Sequence, residues 1–235
     1  MLLWVFIQIH ADRTQDPRAE TFNARKRCYN LIHDIINIIE STPPDMADGQ
    51  YSVSVRRRTE AYEVIDTSED EAFQTDLYDW YFSQRKQERL LEIQSPYIVT
   101  YLERRSADSV EMADLLWRHH SRIGHNHQAA DVQLTLAKSQ FQLSLDRRIE
   151  YLGRAKANAS MPSPGVSRQS RYQLLRDVSD LLDIANIQSD ILQRLTNDER
   201  VMPERRPEVA AELDGEFLPI DTVSLFDSTP GTLLS

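Results

Sequence analysis

Apolar residues recur along this chain at helical steps. From Arg18 to Ile39, the residues Phe22, Tyr29, Ile32, Ile35, Ile36 and Ile39 share one side of a helix. Tyr51 to Ile65 predicts a second helix, although Tyr51-Ser52-Val53-Ser54-Val55 alternates as a strand would. Asp70 to Ser83 carries Phe73, Leu77, Trp80 and Tyr81 beside acidic positions and predicts a third. A short helix over Gln87 to Gln94 stops at Ser95-Pro96. Another follows from Tyr97 to Arg105, because proline is comfortable in a helix's first turn.

The middle of the chain is the most regular. Asp108 with Glu111 three residues later resembles a capping pair, opening a helix that runs to Gly124, a natural left-handed terminator. Its inner stripe is Val110, Ala113, Trp117 and His120. His125 to Ser139 comes next, with Ala129, Val132, Leu136 and Ala137 inward. Ser144 caps a helix through Ala159 that places Leu145, Ile149, Leu152 and Ala155 on one face. Ser167 to Asn197 predicts one helix roughly 45 Å long at about 1.5 Å per residue. One stripe on it runs Leu174, Val178, Leu181, Ala185, Gln188, Leu192 and Leu195. A second, Leu175, Leu182, Ile187 and Ile191, lies alongside, so this helix is expected between neighbours.

Breaks at Pro43-Pro44, Ser95-Pro96, Gly124, Met161-Pro162-Ser163-Pro164-Gly165 and Pro203 with Pro207 separate these stretches. No convincing strand pattern competes. The expected fold is all-α, helices joined by short loops, and the pattern leaves open whether the long helix is a coiled-coil partner or an internal solenoid helix. Its parts are an opening helix over 1–40, core helix pairs over 50–160, a long helix over 166–200, and the start of a next, incomplete repeat over 207–235. The expected core includes Trp80, Leu116, Trp117, Leu136, Ile149, Tyr151 and Leu152. The apolar start Met1-Leu2-Leu3-Trp4-Val5-Phe6-Ile7 is too short to span a bilayer and lacks the basic flank of a signal peptide. It is expected as the end of a buried helix or strand, and suggests a chain cut from something larger.

Charge and composition narrow the function. The 235 residues carry 27 Lys plus Arg against 37 Asp plus Glu, a net charge of −10. That acidic balance argues against direct nucleic-acid binding, which needs a basic face. A single cysteine, Cys28, excludes an intrachain disulfide and any multi-cysteine zinc site, and fits a reducing compartment. Arg25, Lys26 and Arg27 could activate its thiol, but at the edge of an apolar stripe it reads as a small hydrophobe. No Gly-rich phosphate loop, nucleophile elbow or zinc-protease motif occurs, so no catalytic residue, no cofactor site and no cofactor is assigned.

The one cluster with ligand chemistry is His119, His120, His125 and His127, whose imidazoles could bind zinc or copper. Adjacent His119 and His120 point about 100° apart on a helix, and no cysteine lies nearby. The expectation is a polar turn with His120 alone inward, and no metal. Arg56-Arg57-Arg58 is expected as a solvated helix face.

These residues also carry a resemblance. Met112-Ala113-Asp114-Leu115-Leu116-Trp117-Arg118-His119-His120 is similar to the "MDLLWRYY" segment of the large inner-ring scaffold nucleoporins, a propeller-plus-solenoid family of the nuclear pore complex. Ala129-Ala130-Asp131-Val132 with Leu136-Ala137 matches the family's next helix. Leu143-Ser144-Leu145-Asp146-Arg147-Arg148-Ile149-Glu150-Tyr151-Leu152-Gly153-Arg154-Ala155 resembles its "ISL-QRLEYI-RA" segment. Leu77-Tyr78-Asp79-Trp80, the stretch from Arg89 to Ile98, and Leu213-Asp214-Gly215-Glu216-Phe217-Leu218 match further segments in the same order. His119-His120 departs from the family by replacing two aromatics.

The resemblance implies a piece of α-solenoid, with antiparallel helix pairs stacked on one another and no enzymatic role, a structural constituent of the inner ring that supports nucleocytoplasmic transport. It implies localisation in the nucleus, at the nuclear envelope and pore complex, close to the membrane. Its partners would be other nucleoporins, both flexible linker subunits and inner-ring scaffold subunits. The alternative is a stand-alone helical adaptor that binds peptides in a groove, against which no fixed period near 34 residues is found.

Overall fold

A computed structural model describes residues 19–41, 53–198, 202, 204 and 206–219. The apolar run Met1–Ile7, Tyr51 and Leu225-Phe226 lie outside the described residues, as do the side chains of Phe22, Arg57 and Val209. Every regular element among the described residues is helical, as the all-α expectation requires. None of the described helices is long and apolar enough to cross a membrane. The chain divides into two compact units, Met1–Arg104 and Arg105–Ser235.

The first unit holds α1 (Ala19–Ser41), α2 (Val53–Asp66), α3 (Glu71–Ser83), a 3-10 turn (Gln87–Leu91) and most of α4 (Ile98–Ser106). Asp70 organises it. Its carboxylate caps α3 by accepting from the Ala72 and Phe73 amides at 3.0 and 3.1 Å. The same group accepts from Arg25 Nη2 at 3.0 and 3.1 Å and from the Tyr29 hydroxyl at 2.8 Å, tying α1 to α3. Tyr29, Ile32, Ile36, Phe73, Leu77, Tyr78 and Tyr81 are buried around this link. The helix expected over Gln87 to Gln94 is instead the 3-10 turn. Arg85, at φ 57°, takes the left-handed position that usually calls for glycine, and the Lys86 amide donates to Tyr81 O at 2.8 Å. α3 therefore stops sharply, and the few residues before Pro96 hold only a tight turn.

The second unit stacks α5 (Val110–Arg122), α6 (Asn126–Lys138), α7 (Leu145–Ser160), α8 (Arg168–Asn197) and α9 (Arg206–Leu213). Each helix packs on the next, and short connections fold consecutive helices back on one another. Ser109, not Asp108, caps α5: its hydroxyl accepts from the Met112 amide at 3.3 Å. The cap must be the residue whose carbonyl takes the first helical bond, and Ser109 O accepts from Ala113. α5 ends at Gly124, φ 78°, where the His125 amide donates to His120 O at 2.8 Å.

One core joins these helices. Ala113, Ala130, Leu136, Ala137, Leu145, Tyr151, Leu152, Ala155, Ala159, Leu174, Val178 and Ala185 are buried together. Leu116 is buried as well, while Trp117 and Ile149 pack against the cluster half-buried. In the first unit Trp80 is half-buried and stacks on His33 at 4.7 Å. On α8 the second stripe is uneven: Ile191 is buried, but Ile187 is exposed.

A charged residue completes this core. Arg148 is buried on α7, and its guanidinium donates to Ala137 O, Ser139 O and Phe141 O at 2.6, 2.8 and 2.9 Å. These carbonyls belong to the end of α6 and the loop after it, which have no helical partners left. Arg148→Met should therefore strand the Ala137 and Ser139 carbonyls, while Phe141 O keeps the Leu143 amide, and lower unfolding free energy by about 2 kcal/mol or more. Arg147→Ala next to it should cost less than about 1 kcal/mol, because that side chain is 41% exposed and its ion pairs are solvent-screened. Denaturant midpoints of the two variants check the contrast.

Candidate functional site

The histidine turn is the place where the sequence offers ligand chemistry. His119 and His120 sit in the last turn of α5 and are both buried, at 4% and 6% exposure, so the expectation of one inward histidine is corrected. The reversal at Gly124 explains His120, because it brings the His125 ring over the His120 ring at 6.1 Å. The His119 and His120 rings stand 6.5 Å apart at 65°. Nδ1 of each is buried without a hydrogen-bond partner among the described residues. Burial lowers the pKa of both, most at His120, which is pushed down to about 4 by burial and by His119 and His125. His127 points elsewhere in role: its amide donates to Ser163 Oγ at 3.2 Å. Among the described residues, no group of three or more His, Cys, Asp or Glu could hold a metal ion. His119 and His120 are packed as neutral imidazoles.

An open depression adjoins this end of α6, lined by His127, Ser167, Gln169, Ser170, Gln173, Leu174 and Asp177. Its polar groups satisfy one another. Ser167 and Ser170 hydroxyls lie 2.8 Å apart, and Gln173 Nε2 donates to Asp177 at 2.8 Å. Among the bonds of the described residues, none here pairs a nucleophile with a base.

Polar hubs hold the helices in place. Asp114 of α5 accepts from Trp117 Nε1 at 2.8 Å, from the Tyr151 hydroxyl at 3.1 Å and from Arg147 at 3.4 Å. Arg154 lies over the Trp117 ring at 5.3 Å, so this tryptophan is covered by a charged side chain and not by apolar neighbours alone. Gln188, read from the sequence as part of an apolar stripe, is fully buried. It donates to Leu213 O and Glu216 O at 2.8 and 3.0 Å and accepts from the Leu218 amide at 2.9 Å. Asp214 accepts from the Leu145 amide at 2.7 Å and so caps α7 from 69 residues away.

In the first unit, α1 turns Tyr29, Ile32, His33 and Ile36 inward and leaves Leu31, Ile35 and Ile38 exposed at 54%, 39% and 64%. Ile35 thus leaves the inner stripe assigned to it. Steps of four and three place the exposed trio on one face. Of the basic run, Arg56 pairs with Glu60 on the surface, whereas Arg58 donates to Ile39 O near the end of α1 at 2.5 Å. Arg58 is therefore a structural contact and not only a solvated charge. Burial pushes the Cys28 thiol up, away from a reactive thiolate.

Comparison with known proteins follows the same helices. The family model described as "Non-repetitive/WGA-negative nucleoporin C-terminal" matches residues 7–224. The chain is 42% identical over 212 residues to nucleoporin NUP170 of Chaetomium thermophilum, covering 89% of this chain and 15% of that protein. It is 38% identical over 205 residues to a probable nucleoporin, C890.06, of Schizosaccharomyces pombe, covering 87% of this chain and 15% of that one. The chain thus spans about 15% of the length of these relatives. Among solved structures it resembles the Chaetomium thermophilum Nup170 CTD in complex with Nup145N. There the TM-score is 0.79 at 40% identity, over 90% of this chain and 41% of that chain.

The histidine turn makes stability pH-dependent. An unfolded imidazole binds its proton near pH 6.5, whereas folded His120 does so only near 4. The stabilisation is therefore complete above about pH 6.5 and is lost as pH falls towards 4. Asp66, raised to about 6 chiefly by burial, acts in the opposite direction: its contribution is lost as pH rises through that value. The difference between the parent and His120→Leu isolates the imidazole. The parent should lose on the order of 2 kcal/mol more than the variant between pH 6.5 and 4, measured by urea unfolding.

Proposed function

The chain belongs to the non-repetitive nucleoporin C-terminal family, and from that premise we propose that it is a scaffold segment of the nuclear pore complex. It works at the nuclear envelope, in the inner ring, by binding other nucleoporins, and it supports nucleocytoplasmic transport without catalysing a reaction. The observation that carries this reading is the match to the Nup170 CTD solved with Nup145N bound, at a TM-score of 0.79 over nine-tenths of this chain.

The physical features of the chain support it. The polar groups that sequence reasoning could have offered to chemistry are used in helix caps and inter-helix bonds, as at Asp70, Asp114 and Gln188. His119 and His120 are buried as neutral imidazoles. A scaffold needs rigid helices with faces left for neighbours, and the Leu31, Ile35 and Ile38 strip of α1 is a face of that kind.

Mixing the purified chain with Chaetomium thermophilum Nup145N, and separating the mixture by size exclusion, tests the proposal. Co-elution is expected, with the Nup170 CTD of the same organism as the positive control. Separate elution of this chain, while the control binds, overturns nucleoporin binding by this segment.

A further inference from the structure

The connection between α7 and α8 carries chemistry that the scaffold reading does not use. Met161-Pro162-Ser163-Pro164-Gly165 forms a turn in which Met161, Pro162, Pro164 and Gly165 are exposed and Gly165 adopts φ 71°. Two prolines and a glycine leave it few backbone bonds. The contacts holding it are Asn126 Nδ2 to Pro162 O at 2.8 Å, Arg171 Nη1 to Met161 O at 3.4 Å, and the Val166 amide to Ser163 O at 3.4 Å. Ser163 itself is half-buried; its Oγ accepts from the His127 amide at 3.2 Å and lies 3.4 Å from Gln128 Oε1.

We propose that Ser163 is a phosphorylation site for a proline-directed serine/threonine kinase, and that the phosphate tightens the α7–α8 turn onto the start of α6. Kinases of this class require proline directly after the acceptor, which Pro164 supplies on an exposed turn. The chain offers an internal contrast. Ser95-Pro96 has the same dipeptide, but Ser95 is only 5% exposed and its hydroxyl accepts from the Tyr97 amide. Thr42-Pro43 and Thr229-Pro230 lie outside the described residues. Of the two described Ser-Pro pairs, the fold buries Ser95 and leaves Ser163 half-buried on an exposed turn.

In the transfer, Ser163 Oγ attacks the γ-phosphorus of ATP and the bond to the β-phosphate oxygen breaks. ADP leaves, and the hydroxyl proton passes to the kinase's base. The product carries nearly two negative charges and three strong acceptor oxygens. His125, at the cap position of α6, makes no capping hydrogen bond with its side chain, so Ser163 is the group already serving that helix end. A phosphate there replaces one neutral acceptor by three charged ones at the helix's positive end, two residues on from the Met161 carbonyl that Arg171 contacts. Asp177, in the adjoining depression, is the carboxylate that opposes it.

The test incubates the folded chain with ATP and a proline-directed kinase, then maps phosphate by mass spectrometry and follows amide exchange. Ser163 should be modified in the parent and unmodified in Ser163→Ala and in Pro164→Ala, with circular dichroism showing both variants folded. Ser95 should stay unmodified in the folded chain while a synthetic peptide spanning it accepts phosphate. Exchange at 126–129 should slow about two- to fivefold after modification. An unmodified Ser163 in the folded parent, modification of Ser95 at a comparable rate, or unchanged or faster exchange at 126–129 overturns the proposal.

Discussion

The second unit depends on one buried cation. Arg148 enters the core on α7, a position where an unpaired charge would be prohibitive, and it is tolerated because three carbonyls meet its planar fork. Those carbonyls close the end of α6 and the loop that follows. The direction in which α7 leaves α6 is therefore set by the reach of one side chain. Burial lowers the guanidinium's pKa and Glu216 pulls the other way. The Phe217 ring lies 6.0 Å from the same guanidinium, so the segment after α9 is drawn to the same place.

That segment is then fastened twice more. Asp214 caps α7 through the Leu145 amide, and Gln188 on α8 spends its amide on Leu213, Glu216 and Leu218. Two helices thus gain their terminal bonds from residues far along the chain. Around these polar points the interior is lined by small side chains. Ala130, Ala137, Ala155, Ala159 and Ala185 allow close helix approach and leave little room for a cleft. Such an interior is one of closely packed helices.

The first unit solves the same problem with aromatics and one carboxylate. Tyr29, Phe73, Tyr78, Tyr81 and Tyr101 fill its core, and Tyr29 and Phe73 rings meet at 5.2 Å. Asp70 caps α3 while accepting from Arg25 and Tyr29, so a local helix signal also carries the tertiary link. At its other side Glu40 accepts from Tyr62 at 2.8 Å and pairs with Lys86 at 2.5 Å, which burial alone would oppose and these partners favour.

Period and punctuation in the sequence determined the helices: apolar steps of three and four placed them, and Gly124, Ser144 and Ser167 marked their ends. Those signals are local, so they survive without knowledge of the fold. Tertiary structure decided the rest. Apolar periodicity counted Gln188 as one more core position and left Arg148 unremarked, because carbonyl partners 25 residues away from the first and 7 to 11 from the second have no sequence signature. It sent His120 alone inward, whereas His119 is buried beside it. It placed Ile35 inside, whereas the side of α1 facing the Asp70 link runs through His33 and Ile36 instead. Hydrophobic period tells which faces seek cover; which polar groups can be buried with them depends on partners that only folding brings within about 3 Å.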